Sequence, residues 1–347
     1  MPLEILRGTE NASIDALRER SVAVIGYGNQ GRAHALNMRD SGLHVVVGCR
    51  AGGLSETLAQ RDGFVPVSLQ EAAAQGDLVI IALPDEAQPE VLRDQVVPHV
   101  RGGAAGVTLG FIHGFTVHYR LLPVLPLGIG VVMVAPKGPG TTLRERYAMG
   151  QGIPCLLAVD RESASGNARA VALAWANAIG CARAGIIVTT FRDETETDLF
   201  GEQAVLCGGM TWLMLAAFET LVEAGYPPEL AYLECCHELK QIADLVYERG
   251  IAGMMRAISN TAEFGACAAG PAIVDKHASE TLLAQLQRVR DGSFARDLRS
   301  DYERGFPWFN SQRQRLADHP IEAAGAMIRS LMPWLSSPST PPPQKTE

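Results

Sequence analysis

The sequence predicts an α/β half built on a mostly parallel sheet, followed by an all-helical half. Three observations carry this reading. A short apolar run, Ser21 to Ile25, opens directly into the glycine-rich turn Gly26-Tyr27-Gly28-Asn29-Gln30-Gly31. Apolar runs rich in β-branched residues recur as far as about residue 159. Beyond about Thr190 they vanish, and long segments with helical spacing replace them.

After the glycine turn, Arg32 to Arg39 reads as a helix that stops at Gly42, and Val45-Val46-Val47 as a second strand. Strand, glycine turn, helix and strand make a βαβ unit. Runs at 78–83, 104–109 and 129–134 extend the sheet, and 153–159 adds a strand followed by a helix over 166–179. In the second half, 197–224, 228–249 and 277–290 are helices, with Gly225-Tyr226-Pro227-Pro228 stopping the first and starting the next. The expected organisation is residues 1–187 as the α/β domain, 188–333 as the helical domain, and 334–347 as a Ser/Pro-rich, disordered tail.

A chain of 347 residues is long enough for two such domains. Its net charge of -8, with scattered Lys and Arg, provides no basic face for nucleic acid. Seven cysteines without a CxxC pair read as free thiols in a reducing compartment. The start, MPLEILRGTENAS, lacks the pattern of a secretory signal, and no uninterrupted apolar run approaches about 20 residues. A cytoplasmic location and no membrane partner are expected.

The three glycines of the turn have distinct tasks. Gly26 permits the tight turn, Gly28 lets backbone approach a pyrophosphate, and Gly31 lets helix and strand close, so a dinucleotide would sit at the helix N-terminus. Cofactor choice falls at the end of the second strand, Gly48-Cys49-Arg50-Ala51-Gly52-Gly53-Leu54-Ser55. Arg50 and Ser55 suit a 2′-phosphate and Glu56 is the only nearby acid, which favours NADP over NAD. A solvated Arg50 in a flexible loop is the alternative.

Asp198 and Glu202 lie four residues apart in one predicted helix, and Glu234 and Glu238 repeat the arrangement in another. Like charges at this spacing, set among apolar residues, call for a neutralising cation; oxygen-only ligands point to magnesium or manganese. Two wet helix faces would explain the same spacing. His237 lies a residue off the Glu234/Glu238 face and reads as a packing or supporting histidine. Lys137, in Ala135-Pro136-Lys137-Gly138-Pro139-Gly140, and His113, before Gly114, each follow a strand at the carboxyl edge where ligands of α/β sheets bind. A surface lysine and a scaffold histidine are the plainer readings. Ser259 is placed either to bind a substrate carboxylate or to cap a helix.

Assembled, these residues resemble the ketol-acid reductoisomerases (acetohydroxy acid isomeroreductases) of the short class I form, over about residues 3–330. The matching stretches are VAVIGYGNQGRAHALNMRDSG, LPDEAQPE, HGF, MVAPKGPG, ETETDLFGEQAVLCGG, ETLVEAGYPPELAYLECCHELK and ISNTAEFG. The resemblance implies a Rossmann-like N-terminal domain and a knotted, all-helical C-terminal domain. It implies that Asp198, Glu202, Glu234 and Glu238 hold two magnesium ions, some across a subunit interface, and hence a homo-oligomer, a dimer or larger up to a dodecamer. It places Ser259 at the substrate, His113 in the active site and Lys137 in the network of the metal-bound acids; Glu238 is the candidate proton-transfer residue, a metal-bound hydroxide or water being the alternative base. It assigns NADPH contacts to Tyr27, Gly28, Asn29, Gln30, Arg50, Ser55, Asp85, Glu86, Ala87, Gln88 and Gly140. The implied reaction converts 2-acetolactate, or its ethyl homologue, to the 2,3-dihydroxy-3-methyl acid for branched-chain amino-acid synthesis.

Three departures stand out. Gly53 and Leu54 replace the family's common serine and lysine, Arg32 replaces its usual histidine, and the segment from His113 to Lys137 is one residue longer. No carboxylate is lost. A simple NADP-dependent hydroxy-acid dehydrogenase with structural acidic helices is the rival enzyme reading, and a redox-sensing or scaffold protein that binds a dinucleotide without turnover is the rival of another class.

Overall fold

The computed structural model describes residues 3–102 and 106–335. The start of the 104–109 run and the tail from residue 336 lie outside the described residues. The chain divides into two compact units, one ending at Thr195 and the other beginning at Glu196.

The first unit is a sheet flanked by helices. Its strands are β1 (Ile5–Leu6), β2 (Ser21–Ile25), β3 (His44–Gly48), β4 (Leu78–Ile81), β5 (Thr108–Phe111), β6 (Gly130–Pro136), β7 (Cys155–Arg161) and β8 (Ile186–Val188), in the order β1-β8-β7-β6-β5-β4-β2-β3. β3, β2, β4, β5 and β6 are parallel; β7 runs antiparallel to β6 and β1 antiparallel to β8. Residues alternate between two cores. Val22 and Val24 pack in the core that holds Trp175, and Ala23 and Ile25 in the one that holds Phe111. Burial on both faces explains why these strands read as unbroken apolar runs. β2 has β3 on one side and β4 on the other, so the crossovers part there and leave a crevice at the carboxyl ends of β2 and β4. The glycine turn opens into that crevice.

The second unit is helical. A helix runs over Phe191–Glu223, with a π turn at Glu202–Leu206 where Cys207 N–H donates to Glu202 O at 2.8 Å. Gly225, at φ 92°, ends it, and Pro228 is the first residue of the next helix, as the Gly-Tyr-Pro-Pro pattern predicts. That helix passes through a second π turn, Leu233–His237, closed by Glu238 N–H on Leu233 O at 3.1 Å, and continues over Leu239–Met255 with a kink at Gly250. Helices Asn260–Ile273, Lys276–Arg290, Ser293–Glu303, Pro307–Ala317 and Pro320–Ser330 complete the unit. One buried cluster of this unit gathers Phe218, Ala231, Ile321 and Ala324. Met210, Trp212, Leu213, Phe264 and Trp308 stay exposed.

Candidate active site

The glycine turn differs at each position. Gly26 has φ +96°, and a Cβ there would lie 2.6 Å from Ala82 O. A Cβ on Gly31 would lie 2.3 Å from Gly26 O, so only glycine lets the Asn29–Asp40 helix sit this close to the turn. Gly28 has nothing within 4 Å; its open face is where a phosphate approaches backbone. A second helix N-terminus arrives beside the first, because Gly140 begins the Gly140–Ala148 helix and a Cβ on it would lie 2.2 Å from Asn29 O. Gln30 Nε2 donates to Gly138 O at 2.9 Å and binds the two turns together, while its Oε1 is buried without a hydrogen-bond partner among the described residues. Two helix N-termini, open backbone and an orphan acceptor fit the pyrophosphate of a dinucleotide.

Arg50 is exposed in the turn after β3, and Ser55 lies in the first turn of the Leu54–Arg61 helix. Glu56 folds back onto the same loop, accepting from Gly52 N–H at 2.6 Å. Asp85 to Gln88 follow β4. The Gln88 side chain is spent inside the protein: Nε2 donates to Leu83 O and Asp85 Oδ1, both at 3.0 Å, and Oε1 accepts from Thr116 Oγ1 at 2.7 Å.

Asp85 in turn orients His113, whose Nδ1 lies 2.7 Å from Asp85 Oδ2. Carboxylate acceptance puts the proton on Nδ1 and turns Nε2 toward Glu194 Oε2, at 3.9 Å. Glu194 is the centre of this cluster. Its side chain is 1% exposed; Oε1 accepts from Lys137 Nζ at 2.8 Å and Oε2 from Gly114 N–H at 2.9 Å. Gly114 makes the approach possible, since a Cβ there would lie 2.3 Å from Thr195 Oγ1. His113 and Lys137 thus meet on a buried acid that the sequence reading passed over. A signal was present: Glu194, Asp198 and Glu202 fall at successive four-residue steps along one helix.

Asp198 is half-buried, whereas Glu202, Glu234 and Glu238 are exposed. The expectation that apolar surroundings bury these charges fails within one chain, because the helix faces that carry them are not covered. No group of ligating side chains among the described residues joins one pair to the other. Each pair does coincide with a π turn, Glu202 opening one and Glu234 and Glu238 spanning the other, a feature that recurs at functional sites. Four carboxylates make a donor set that fits a hard divalent cation. His237 is half-buried in the second π turn. Ser259 caps the Asn260–Ile273 helix, its Oγ accepting from Ala262 N–H at 3.2 Å.

Comparison with known proteins places this geometry. The NADPH-binding domain of acetohydroxy acid isomeroreductases matches residues 16–185, and the C-terminal domain of ketol-acid reductoisomerases matches 191–334. An NADH-preferring ketol-acid reductoisomerase from an uncultured archean is 45% identical, with a TM-score of 0.90 over 95% of this chain and 99% of its own. The chain belongs to the ketol-acid reductoisomerase family. Membership in the reductoisomerases makes it an enzyme of branched-chain amino-acid synthesis with a pyridine-nucleotide domain and a helical C-terminal domain. More distant likenesses show the fold alone. A semialdehyde dehydrogenase NAD-binding protein from Cupriavidus necator is 18% identical, with a TM-score of 0.57 over 78% of this chain and 99% of its own. An oxidoreductase from Jannaschia is 16% identical, with a TM-score of 0.55 over 79% and 97%.

Proposed function

We propose that this reductoisomerase acts on 2-acetolactate or its ethyl homologue with two magnesium ions and NADPH, in the cytoplasm, as a homo-oligomer. The observation that carries the reading is Glu194, a buried acid gripped by Lys137 and Gly114, which Asp198 and Glu202 follow in sequence at four-residue steps. Asp198, Glu202, Glu234 and Glu238 would hold the metal, the two pairs coming from different copies. Bound magnesium supplies polarisation of the substrate's ketone and hydroxyl oxygens, and bound nicotinamide supplies the hydride.

The chain's own residues do the rest. Glu238 takes the proton of the tertiary hydroxyl, which frees the alkyl group to migrate to the neighbouring ketone carbon. Lys137 neutralises Glu194 and holds it in place, and Asp85 fixes the ring of His113 beside it. Capping uses a lone pair of Ser259 Oγ and leaves its O–H to donate to a substrate carboxylate.

The uncovered apolar surface supports the oligomer. Only Phe218 is buried along Gly208–Glu223, and Asn260–Ile273 has no buried residue. The Phe191–Glu223 helix is long and apolar enough to cross a membrane, but the acids Asp193, Glu194, Glu196, Asp198 and Glu202 along its first turns favour a second copy as its cover. The knotted threading expected of the family's helical domain belongs to the same reading.

Arg50 and Ser55 support NADPH. NADH is the second reading, favoured by Glu56, whose carboxylate sits in the same loop and suits a ribose hydroxyl. Purified protein is incubated with 2-acetolactate and either nucleotide, with and without magnesium. Magnesium-dependent oxidation, with kcat/KM at least tenfold higher for NADPH, is expected on the order of one charged contact. Equal rates without magnesium overturn the metal reading, and a preference for NADH overturns the nucleotide reading.

A further inference from the structure

The glycine turn and the helix that follows the cofactor-selecting loop are tied to one carboxylate. Asp62 is the first residue beyond the Leu54–Arg61 helix, and three side chains converge on it. Arg32 grips it in a fork, Nε to Oδ2 at 2.5 Å and Nη2 to Oδ1 at 3.0 Å. Tyr27, in the glycine turn and 1% exposed, donates its O–H to Asp62 Oδ2 at 2.9 Å. Arg39 donates to the Asp62 backbone O at 2.6 Å and lies over the Phe64 ring at 4.9 Å, against whose edge Tyr27 packs at 5.8 Å.

This arrangement has a local cost. A carboxylate at a helix C-terminus faces the negative end of the helix dipole, so without Arg32 the position would be unfavourable. The fork offsets that cost and commits two of the three Arg32 nitrogens to Asp62. It acts through position: Arg32 and Tyr27 belong to the phosphate turn and its helix, whereas Asp62 ends the helix that begins at Leu54 and Ser55. The clamp thereby sets where the start of that helix, with Ser55 and the adjoining Arg50, lies relative to Gly28.

We propose that Arg32 and Asp62 form a positioning clamp that registers the 2′-end loop against the pyrophosphate turn, and so sets nucleotide affinity and the preference between the two nucleotides. The proposal rests on nucleotide binding at the glycine turn and on Arg50 and Ser55 as contacts to a 2′-phosphate. Neither clamp residue needs to touch the cofactor.

The test is a double-mutant cycle, Arg32→Met, Asp62→Asn and the pair together, with Arg32→Lys as the conservative variant. The dissociation constants of NADPH and NADH are measured by nucleotide fluorescence with full-length protein, beside kcat at saturating nucleotide and the thermal midpoint. Each single variant is expected to weaken NADPH binding about tenfold, a loss typical of misplaced supporting groups. NADH should weaken less, the double variant should match the singles, Arg32→Lys should recover part of the loss, and kcat should be retained. Unchanged dissociation constants with only a lower thermal midpoint overturn the proposal, as do additive losses in the double variant. If the unmutated protein prefers NADH, the assignment of Arg50 and Ser55 fails on its own, and a non-additive loss of affinity for both nucleotides still reports the clamp.

Discussion

Replacing Lys137 by methionine keeps the aliphatic stem and removes the cation 2.8 Å from a Glu194 carboxylate that is 1% exposed. At that separation an effective dielectric of about 20 gives a gross attraction of about 6 kcal/mol. Two facts reduce the net effect. The Lys137 side chain is 30% exposed, so water recovers part of the interaction, and Gly114 N–H still donates to Glu194 at 2.9 Å. The expected loss is about 2 kcal/mol, below the roughly 3 to 5 kcal/mol for breaking a fully buried pair. Urea unfolding at fixed protein concentration measures it for Lys137→Met, Glu194→Gln and the double variant. The double variant should regain about half of the loss, because a neutral amide needs no cation. A Lys137→Met protein within about 0.5 kcal/mol of the original, or strictly additive losses, would refute the view of Glu194 as a held, buried charge.

The glycine turn offers a separation of binding from folding: Gly28→Ala should leave the urea midpoint unchanged and weaken nucleotide binding at least tenfold on the order of a lost phosphate contact, whereas Gly31→Ala should cost about 1 to 3 kcal/mol of stability through overpacking. Equal stability of the two variants would refute that assignment. His34 is fully buried, accepts from Trp175 Nε1 at 3.0 Å, and burial pushes its pKa down to about 3. The unfolded chain therefore binds a proton below about pH 6.5 that the folded chain declines, so this histidine's stabilising effect is complete above pH 6.5 and is lost as pH falls toward 3. His34→Gln, which retains an acceptor for Trp175, should reduce the dependence of stability on pH between 6.5 and 4 by about one proton; an unchanged slope would contradict it. Glu238→Gln should suppress alkyl migration far more than reduction of the preformed 3-hydroxy-2-keto acid, and equal retention of both activities would remove Glu238 from proton transfer.

The nucleotide half was legible because its signals are local. The run Ser21–Ile25 before three differently constrained glycines specifies strand, turn and helix without any knowledge of the rest of the chain. Strands β1 and β8, of two and three residues, are too short to leave a period. The antiparallel sense of β7 is decided by tertiary pairing and leaves no mark in composition. Both π turns were invisible because one extra residue per turn blurs a 3.6-residue pattern only locally.

At the site, His113 and Lys137 were found by their place after strands, yet the buried acid between them was not. The search for paired carboxylates stopped at Asp198 and Glu202, although Glu194 continues the same spacing toward the N-terminus. Asp62 left no signal at all, since its partners Tyr27 and Arg32 are 35 and 30 residues away. The burial inferred for the acidic pairs came from apolar neighbours in sequence, but Glu202, Glu234 and Glu238 lie on faces a single chain does not cover.

Carbon rearrangement separates this chemistry from plain ketone reduction, and the carbon skeleton of the product reports it. Carbon NMR of the product formed from 2-acetolactate, nucleotide and magnesium identifies where the methyl groups reside. Two methyl groups on one carbon, as in 2,3-dihydroxy-3-methylbutanoate, are the expected result, with none formed when magnesium is withheld. The unrearranged 2,3-dihydroxy-2-methylbutanoate, formed with or without magnesium, would contradict it.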